Sequence, residues 1–301
     1  VWRTLKFHYL KRFGSPKKYA EILYKIKFGK RINWKEPEDL NQWINWLSFY
    51  SDTSQWPLLA DKYRVREFIM KKGFGDNLIP LLGVWEDPSD LSFDNLPEKF
   101  ILKANNGSGD VLIVKDKTKE NIEDIRAHFK GVLNAQFGKL TAEPHYLKIK
   151  PCIIAEEVLD LTQQEQESES LIDYKFWCFN GKPVCCFICS NRTPKNFTID
   201  LYSADKDWRR IDEGNLIFDS HHLKAAIPMP RPEKLDEMLR MVSELSKGIP
   251  QARIDLYQVN NKIYFGEITL TSFAGRMEYF SKDFLKELGN YCKKALKEIE
   301  K

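Results

Sequence analysis

The stretch Arg253-Ile254-Asp255-Leu256-Tyr257, followed after a polar turn by Tyr264-Phe265-Gly266-Glu267-Ile268-Thr269, decides how this chain reads. The two runs form the strands of a hairpin and bring two acids, twelve positions apart, onto neighbouring strands. A two-residue turn at Asn260-Asn261 pairs Ile254 with Glu267 and sends Asp255 to the other face. A three-residue loop, or a bulge, instead sets Asp255 opposite Glu267 and Arg253 opposite Thr269, with Ile254, Leu256 and Ile268 toward the core. The second register satisfies the hydrophobic pattern and clusters the polar groups, so it is preferred. It makes a face with two carboxylates, a hydroxyl and a guanidinium. Hard oxygen ligands suit Mg²⁺, which keeps waters and bridges carboxylates to substrate phosphates. The Arg can grip a phosphate or carboxylate bidentately. Taken alone, the segment is equally well an amphipathic hairpin with a surface Arg–Asp pair.

Three further segments carry chemistry. Lys103 sits near the end of a strand over 100–104 and precedes Asn105-Asn106-Gly107-Ser108-Gly109-Asp110. Glycines permit a tight loop whose N–H groups approach phosphates, and the lysine adds a point charge, although an isolated Gly-Ser-Gly more often marks a simple β-turn. A strand over 111–114 follows the loop, and G-x-x-x-x-G-K-[ST] is absent, so this is not a P-loop. Ile153-Ile154-Ala155 is a buried strand leading into Glu156-Glu157-Val158-Leu159, a hinge able to offer backbone groups to an adenine edge. Asp173, Lys175 and Trp177 share one face of a strand, where an acid and a lysine suit a ribose hydroxyl and a phosphate or pair with each other.

The surrounding chain reads as α+β, with helices mixed among antiparallel hairpins. Pro37 is read as opening a helix with Leu40, Trp43, Ile44 and Leu47 on one face. A single helix is expected over 59–72, stopping at Gly73, and a strand over 79–85. Thr118 is read as capping a helix that carries Ile122, Ile125, Phe129, Val132 and Leu133. The acidic, non-periodic stretch 160–170 reads as a loop or flap. Helices over 232–247 and 281–299 complete the set, and there is no internal repeat.

The chain has 301 residues, 43% hydrophobic and 30% charged, with a net charge of +4 and a mean hydropathy of -0.48. That size suggests two domains or lobes and a full core. No apolar run approaches the roughly 20 residues that span a bilayer. The start, 1–14, is basic and aromatic without an apolar h-region, unlike a signal peptide. The basic enrichment over 1–35 reads as a solvated surface. Four of the six cysteines fall within 178–189, around the hairpin turn Asn180-Gly181. With that turn setting the register, Phe176 faces Cys185 and Lys175 faces Cys186, so Cys178 and Cys185 share a face while Cys186 does not. Four sulfurs then cannot converge on zinc. Reduced, partly buried thiols fit a cytoplasmic protein. His145 is expected in a structural hydrogen-bonding role.

Taken together and in this order, the segments resemble the ATP-grasp superfamily, and within it the TupA-like (teichuronopeptide-biosynthesis-type) family found with bacterial surface-polysaccharide genes. The resemblance rests on Ala60-Asp61-Lys62 with Val65-Arg66, residues 97–109, Glu143-Pro144-His145-Tyr146, the Ile-Ile-Ala-Glu-Glu strand, Asp173-Tyr174-Lys175-Phe176 and residues 253–275. It implies an ATP-grasp fold of two α+β lobes clasping ATP, divided as a short helical N-terminal region (1–59), a small lobe (60–155) and a large lobe with the metal site (156–301). It implies Lys62 and Lys103 as phosphate lysines, Asn105, Gly107, Ser108 and Gly109 as the loop over the triphosphate, Glu156, Glu157, Val158 and Leu159 as the adenine hinge, and Asp173 with Lys175 as further nucleotide contacts. Asp255 and Glu267 match the magnesium carboxylates, Thr269 stands where many members carry Asn, and Arg253 matches an Arg on the transferred phosphate. The cofactors implied are ATP and Mg²⁺.

The activity implied is carboxylate–amine ligation through an acyl phosphate. The substrates would be a small-molecule or glycan carboxylate acceptor, such as a uronic acid of a cell-surface polysaccharide, and an amine or amino acid. No nucleic acid is implied, and a lipid-linked substrate would bring peripheral membrane contact. A sugar or alcohol kinase using the same nucleotide site, and a non-catalytic glycan-assembly protein, are the competing readings.

Overall fold

A computed structural model describes residues 15–162 and 168–301. The basic start 1–14 and the middle of the acidic stretch, 163–167, lie outside the described residues. The chain divides into two compact units. Unit one holds the described residues through Arg31, Ser48–Phe68 and Ile79–Leu159, and unit two holds Ile32–Leu47, Ile69–Leu78 and Asp160–Lys301.

Unit one is built on a four-stranded antiparallel sheet in the order β1-β4-β2-β3, with β1 Leu81–Trp85, β2 Phe100–Ala104, β3 Val111–Val114 and β4 Ile153–Glu156. Its core joins Phe100, Leu102, Ile153 and Ala155 from the sheet to Ile125 and Phe129 from a helix. Among the described residues the helices begin with α1 (Pro16–Phe28), which carries Pro16 in its first turn and is capped by Ser15. α2 (Leu40–Tyr50), α3 (Trp56–Ala60), α4 (Val65–Lys71), α5 (Ile122–Asn134) and α6 (Phe137–Thr141) follow.

Several boundaries differ from the sequence reading. α2 begins at Leu40, not at Pro37, because the Asp39 carboxylate accepts the Gln42 N–H at 2.9 Å and so serves the first turn. The helix expected over 59–72 is broken in two. Asp61 takes extended backbone after Ala60, and its Oδ1 accepts the N–H groups of Tyr63 (2.8 Å) and Arg64 (3.1 Å) before α4 restarts. α5 is capped by Asn121, whose Oδ1 accepts the Glu123 N–H at 3.0 Å, while Thr118 lies in a short 3₁₀ turn. His145 is buried with no hydrogen-bond partner at either ring nitrogen. It packs edge-on to Trp56 and beside Tyr146, an aromatic role in place of the expected polar one.

Unit two is built on a six-stranded sheet in the order β10-β9-β5-β6-β7-β8. The strands are β5 Asp173–Phe179, β6 Lys182–Ser190, β7 Phe197–Ser203, β8 His222–Lys224, β9 Ala252–Val259 and β10 Lys262–Thr269. All neighbours are antiparallel except β7 and β8. Helix α7 (Leu235–Ser246) packs on β5, β6 and β9, burying Leu235, Met238, Val242 and Leu245, and α8 (Lys282–Ile299) starts at the Ser281 cap.

The β5–β6 hairpin corrects the cysteine register. Phe179 faces Lys182 and Cys178 faces Pro183, as the Asn-Gly turn dictates, but an extra residue then shifts the ladder so that Trp177 faces Cys185 and Phe176 faces Cys186. On β9, Cys178 lies opposite Ala252 and Trp177 opposite Arg253, so Cys178 and Cys185 point to opposite faces. All six cysteines are buried, free thiols, and burial pushes Cys178 and Cys189 up to about 12. No helix among the described residues is long and apolar enough to cross a membrane.

Candidate active site

The chemistry of unit two is set by one inserted residue. Val259 pairs with Lys262 across Asn260-Asn261, both with left-handed backbone, so the turn has two residues. Continued without interruption, that ladder would put Glu267 opposite Ile254. It slips between Phe265 and Glu267, where Gly266 is left over, and from there Glu267 faces Asp255 and Thr269 faces Arg253. Glycine suits the bulge because a Cβ there would lie 3.0 Å from the Asp255 carbonyl oxygen and from the Tyr257 ring. The preferred register is therefore present, produced by a tight turn and a bulge together. Ile254 and Leu256 are fully buried on the opposite face.

Lys175 on β5 lies opposite Asp255 on β9, and Trp177 lies opposite Arg253. The sheet thus brings Asp173, Lys175, Arg253, Asp255, Glu267 and Thr269 onto one face. Arg253 donates from Nε to Asp255 Oδ1 at 2.7 Å, and from Nη2 to Asp255 Oδ2 at 2.8 Å and Glu267 Oε1 at 2.6 Å. Lys175 Nζ donates to Asp255 Oδ2 at 2.6 Å and sits 3.2 Å from Asp173 Oδ2. Thr269 Oγ1 donates to Glu267 Oε1 at 2.9 Å.

Burial sets the electrostatics. Asp255 is 1% exposed, whereas the Glu267 side chain is 35% exposed. Burial pulls the Arg253 guanidinium down, but Asp255 and Glu267 outweigh it and hold its pKa above the ordinary arginine value. Burial likewise opposes the Lys175 charge, and Asp173 with Asp255 holds it above the ordinary lysine range. Burial pushes Asp255 up while the two cations against it pull it back. Both cations therefore stay charged.

Unit one carries the other predicted residues. Lys103 on β2 donates from Nζ to Glu156 Oε2 at 2.7 Å, and Arg66 Nη1 reaches Glu156 Oε1 at 3.2 Å. Glu156 is 7% exposed and ends β4, so its side chain serves these two cations. The next hinge residue, Glu157, donates its N–H to the Pro80 carbonyl at 3.1 Å, and Val158 is exposed. Lys62 donates from its backbone N–H to the Asn105 carbonyl at 3.2 Å and from Nζ to the Gly107 carbonyl. Its ammonium therefore lies on the glycine loop. Ser108 and Gly109 are exposed at the loop tip. The Asn105 side chain is fully buried: it donates to Asp61 Oδ1 (2.9 Å) and the Lys150 carbonyl (3.0 Å), and accepts the Cys152 N–H (2.8 Å). It anchors the base of the loop beside the end of α3 and the start of β4.

Sequence reasoning assigned no role to two groups at these sites. Arg66 shares Glu156 with Lys103, and Arg192 Nη2 lies 3.3 Å from Asp173 Oδ2. Arg66 was legible only as part of the Val65-Arg66 motif, and Arg192 lies outside any motif.

The donor set fits one kind of cation. Among the described residues no group of three or more His, Cys, Asp or Glu side chains could enclose a metal. Two opposed carboxylates and a hydroxyl on a rigid sheet suit a hard cation that completes its shell with water and phosphate oxygens, as Mg²⁺ does.

The family model described as TupA-like ATPgrasp matches residues 42–293. No curated protein matches the chain. Similar solved structures include D-alanine–D-alanine ligase from Bacillus anthracis, at 14% identity over 81% of this chain and 69% of that one, with a TM-score of 0.46. The same enzyme from Helicobacter pylori matches at 16% identity over 87% and 66%, with a TM-score of 0.40. The ATP-grasp ligase PsnB, complexed with minimal precursor, matches at 11% identity over 83% and 63%, with a TM-score of 0.42. The chain spans about two thirds of the length of these relatives.

Proposed function

The chain belongs to the TupA-like ATP-grasp family and has the ATP-grasp fold, and on that premise we propose that it is an ATP-dependent carboxylate–amine ligase. The observation that carries the reading is the bulge at Gly266, which sets Asp255 opposite Glu267 with Arg253 and Lys175 on the same face.

The chemistry needs little covalent help from the protein. An acceptor carboxylate oxygen attacks the γ-phosphorus of ATP, the bond to the bridging oxygen breaks, and ADP leaves. The amine nitrogen then attacks the acyl carbon, the carbon–oxygen bond to phosphate breaks, and the nitrogen loses a proton to give the amide. Lys62 and Lys103 neutralise phosphate charge, and the loop at 106–109 offers backbone N–H groups. Glu156 keeps Lys103 and Arg66 oriented. Asp255 and Glu267 would hold Mg²⁺ with help from Thr269, and the ion would supply charge neutralisation at the phosphates. Arg253 and Lys175 lie on the carboxylate oxygens that would hold the ion, and their N–H groups are placed to grip a phosphate at the same face.

Family membership supports an acceptor carboxylate in a cell-surface polysaccharide or its precursor, with an amino acid or other amine as nucleophile. Use of ATP fits a cytoplasmic reaction, and a lipid-linked acceptor would bring the protein to the membrane surface.

The test is a thermal-shift titration with Mg²⁺ and a non-hydrolysable ATP analogue, on the unaltered chain and on Glu267→Gln. Binding at about 100 times Kd stabilises by about 2.7 kcal/mol. Metal-dependent stabilisation that Glu267→Gln weakens supports the nucleotide site, and no stabilisation at millimolar nucleotide removes it. Incubation with ATP, candidate uronic acids and hydroxylamine then separates ligase from kinase: an acyl phosphate yields a hydroxamate, whereas a phosphate ester does not.

A further inference from the structure

Strand β10, which carries Glu267 and Thr269, runs into a turn at 271–277 whose conformation its own sequence does not favour. Phe273 (φ 48, ψ 29), Ala274 (φ 50) and Gly275 (φ 63) take left-handed backbone in succession, although two of the three carry a side chain. Such conformations persist only where surrounding structure enforces them, and they gather at ligand-contacting segments. The turn closes on itself through the N–H groups of Ala274, Gly275 and Arg276, which donate to the carbonyls of Thr271, Ser272 and Phe273 at 2.7, 3.0 and 3.0 Å. It leaves Phe273 60% exposed with its ring 5.3 Å from that of Tyr279. The turn begins two residues after Thr269, which faces Arg253 across the β9–β10 ladder, so it adjoins the end of the acidic face.

The enforcing groups come from far away in sequence. Asn41 on α2 grips Met277 reciprocally: its Nδ2 donates to the Met277 carbonyl at 2.9 Å, and its Oδ1 accepts the Met277 N–H at 2.9 Å. Asn45, one helical turn on, donates from Nδ2 to the Asn41 carbonyl at 2.8 Å and the Gly275 carbonyl at 3.3 Å. Both amides are buried, at 1% and 4% exposure. Packing alone would be served by apolar residues, as it is at Leu40, Ile44 and Leu47 of the same helix. The fit is tight as well: a Cβ at Gly275 would lie 2.2 Å from Asn45 Nδ2.

We propose that Asn41 and Asn45 are positioning residues, which hold the 271–277 turn in its left-handed form and so present Phe273 on the acceptor side of the site while leaving nucleotide binding untouched. The acceptor assignment rests on the ligase reading above; the clamp itself does not.

The experiment is hydrogen exchange by mass spectrometry on the full chain, unaltered and as Asn41→Leu and Asn45→Leu, paired with thermal shift by Mg²⁺ and a non-hydrolysable ATP analogue. Within the turn Asn45 donates to carbonyls and accepts from no N–H, its other bond being to the Asn41 carbonyl, so Asn45→Leu removes no bond made by a turn amide. Exchange at the Ala274, Gly275 and Arg276 amides should nonetheless rise at least tenfold in both variants. β9 amides should exchange as before, and the nucleotide-induced shift should match the unaltered chain. Should Asn45→Leu not fold, Asn45→Ala removes the same donor without added bulk. Exchange at 274–276 within twofold of the unaltered chain would overturn the proposal. So would a rise spread evenly over unit two, which marks asparagines that hold the fold as a whole, or a nucleotide shift lost along with the turn. If the unaltered chain shows no nucleotide shift, the ligase reading fails, and the exchange pattern still decides whether the asparagines set the turn.

Discussion

Replacing Arg253 with Met removes three charged hydrogen bonds and keeps most of the aliphatic stem. Two of those bonds end on Asp255, which is 1% exposed, and one ends on Glu267. Removing one partner of a buried ion pair costs about 3–5 kcal/mol, because the other charge stays buried without compensation. Two features place this case at the low end, about 3 kcal/mol. Lys175 Nζ remains 2.6 Å from Asp255 Oδ2, and the Glu267 side chain, 35% exposed, is already partly solvated. The expected change is about a hundredfold in the opening equilibrium of unit two. Hydrogen exchange at β9 amides under mild denaturant, with a chelator present, reads that opening locally. Millimolar Mg²⁺ should then restore more stability to Arg253→Met than to the unaltered chain, since a cation at Asp255 and Glu267 replaces the missing positive charge. A loss below about 1 kcal/mol, the scale of an exposed pair, together with no added response to Mg²⁺, would refute the reasoning.

Three further outcomes are expected. Burial holds His145 down at about 3. The unfolded chain therefore binds a proton before the folded one as pH falls below about 6.5, and stability declines from there toward pH 3; His145→Phe should flatten the fall in melting temperature over that window. Asp200 behaves oppositely: burial raises it to about 6 despite Arg210 Nη2 at 2.5 Å, so the folded chain holds the proton longer and stability declines as pH rises from about 4 through 6. Asp200→Asn should remove that slope in melting temperature measured across the same range. Gly266→Val crowds the Asp255 carbonyl and the Tyr257 ring, and should cost about 1–3 kcal/mol in chemical denaturation while weakening the Mg²⁺-dependent nucleotide shift.

Much of the molecule is readable without coordinates. Strands over 100–104 and 111–114 stand where alternation and flanking turn residues put them, and the α8 start at Ser281 follows from local capping. The α+β class and the placing of Arg253, Asp255 and Glu267 on one face follow from the period of two and the preference for burying Ile254, Leu256 and Ile268. Those are signals of short range, carried by residues within a few positions of each other, and a sequence states them directly. The tertiary structure decided what depends on partners distant along the chain. It supplied the Gly266 bulge that reconciles a two-residue turn with the Asp255–Glu267 pairing, and the slip in β6 that parts Cys178 from Cys185. It also set Lys175 on Asp255, eighty positions away, and Asn41 on Met277, 236 away. A bulge shifts every later side chain by one face at small local cost, and a buried amide or ammonium finds its partner only when strands and helices have packed, so neither is written in any local pattern.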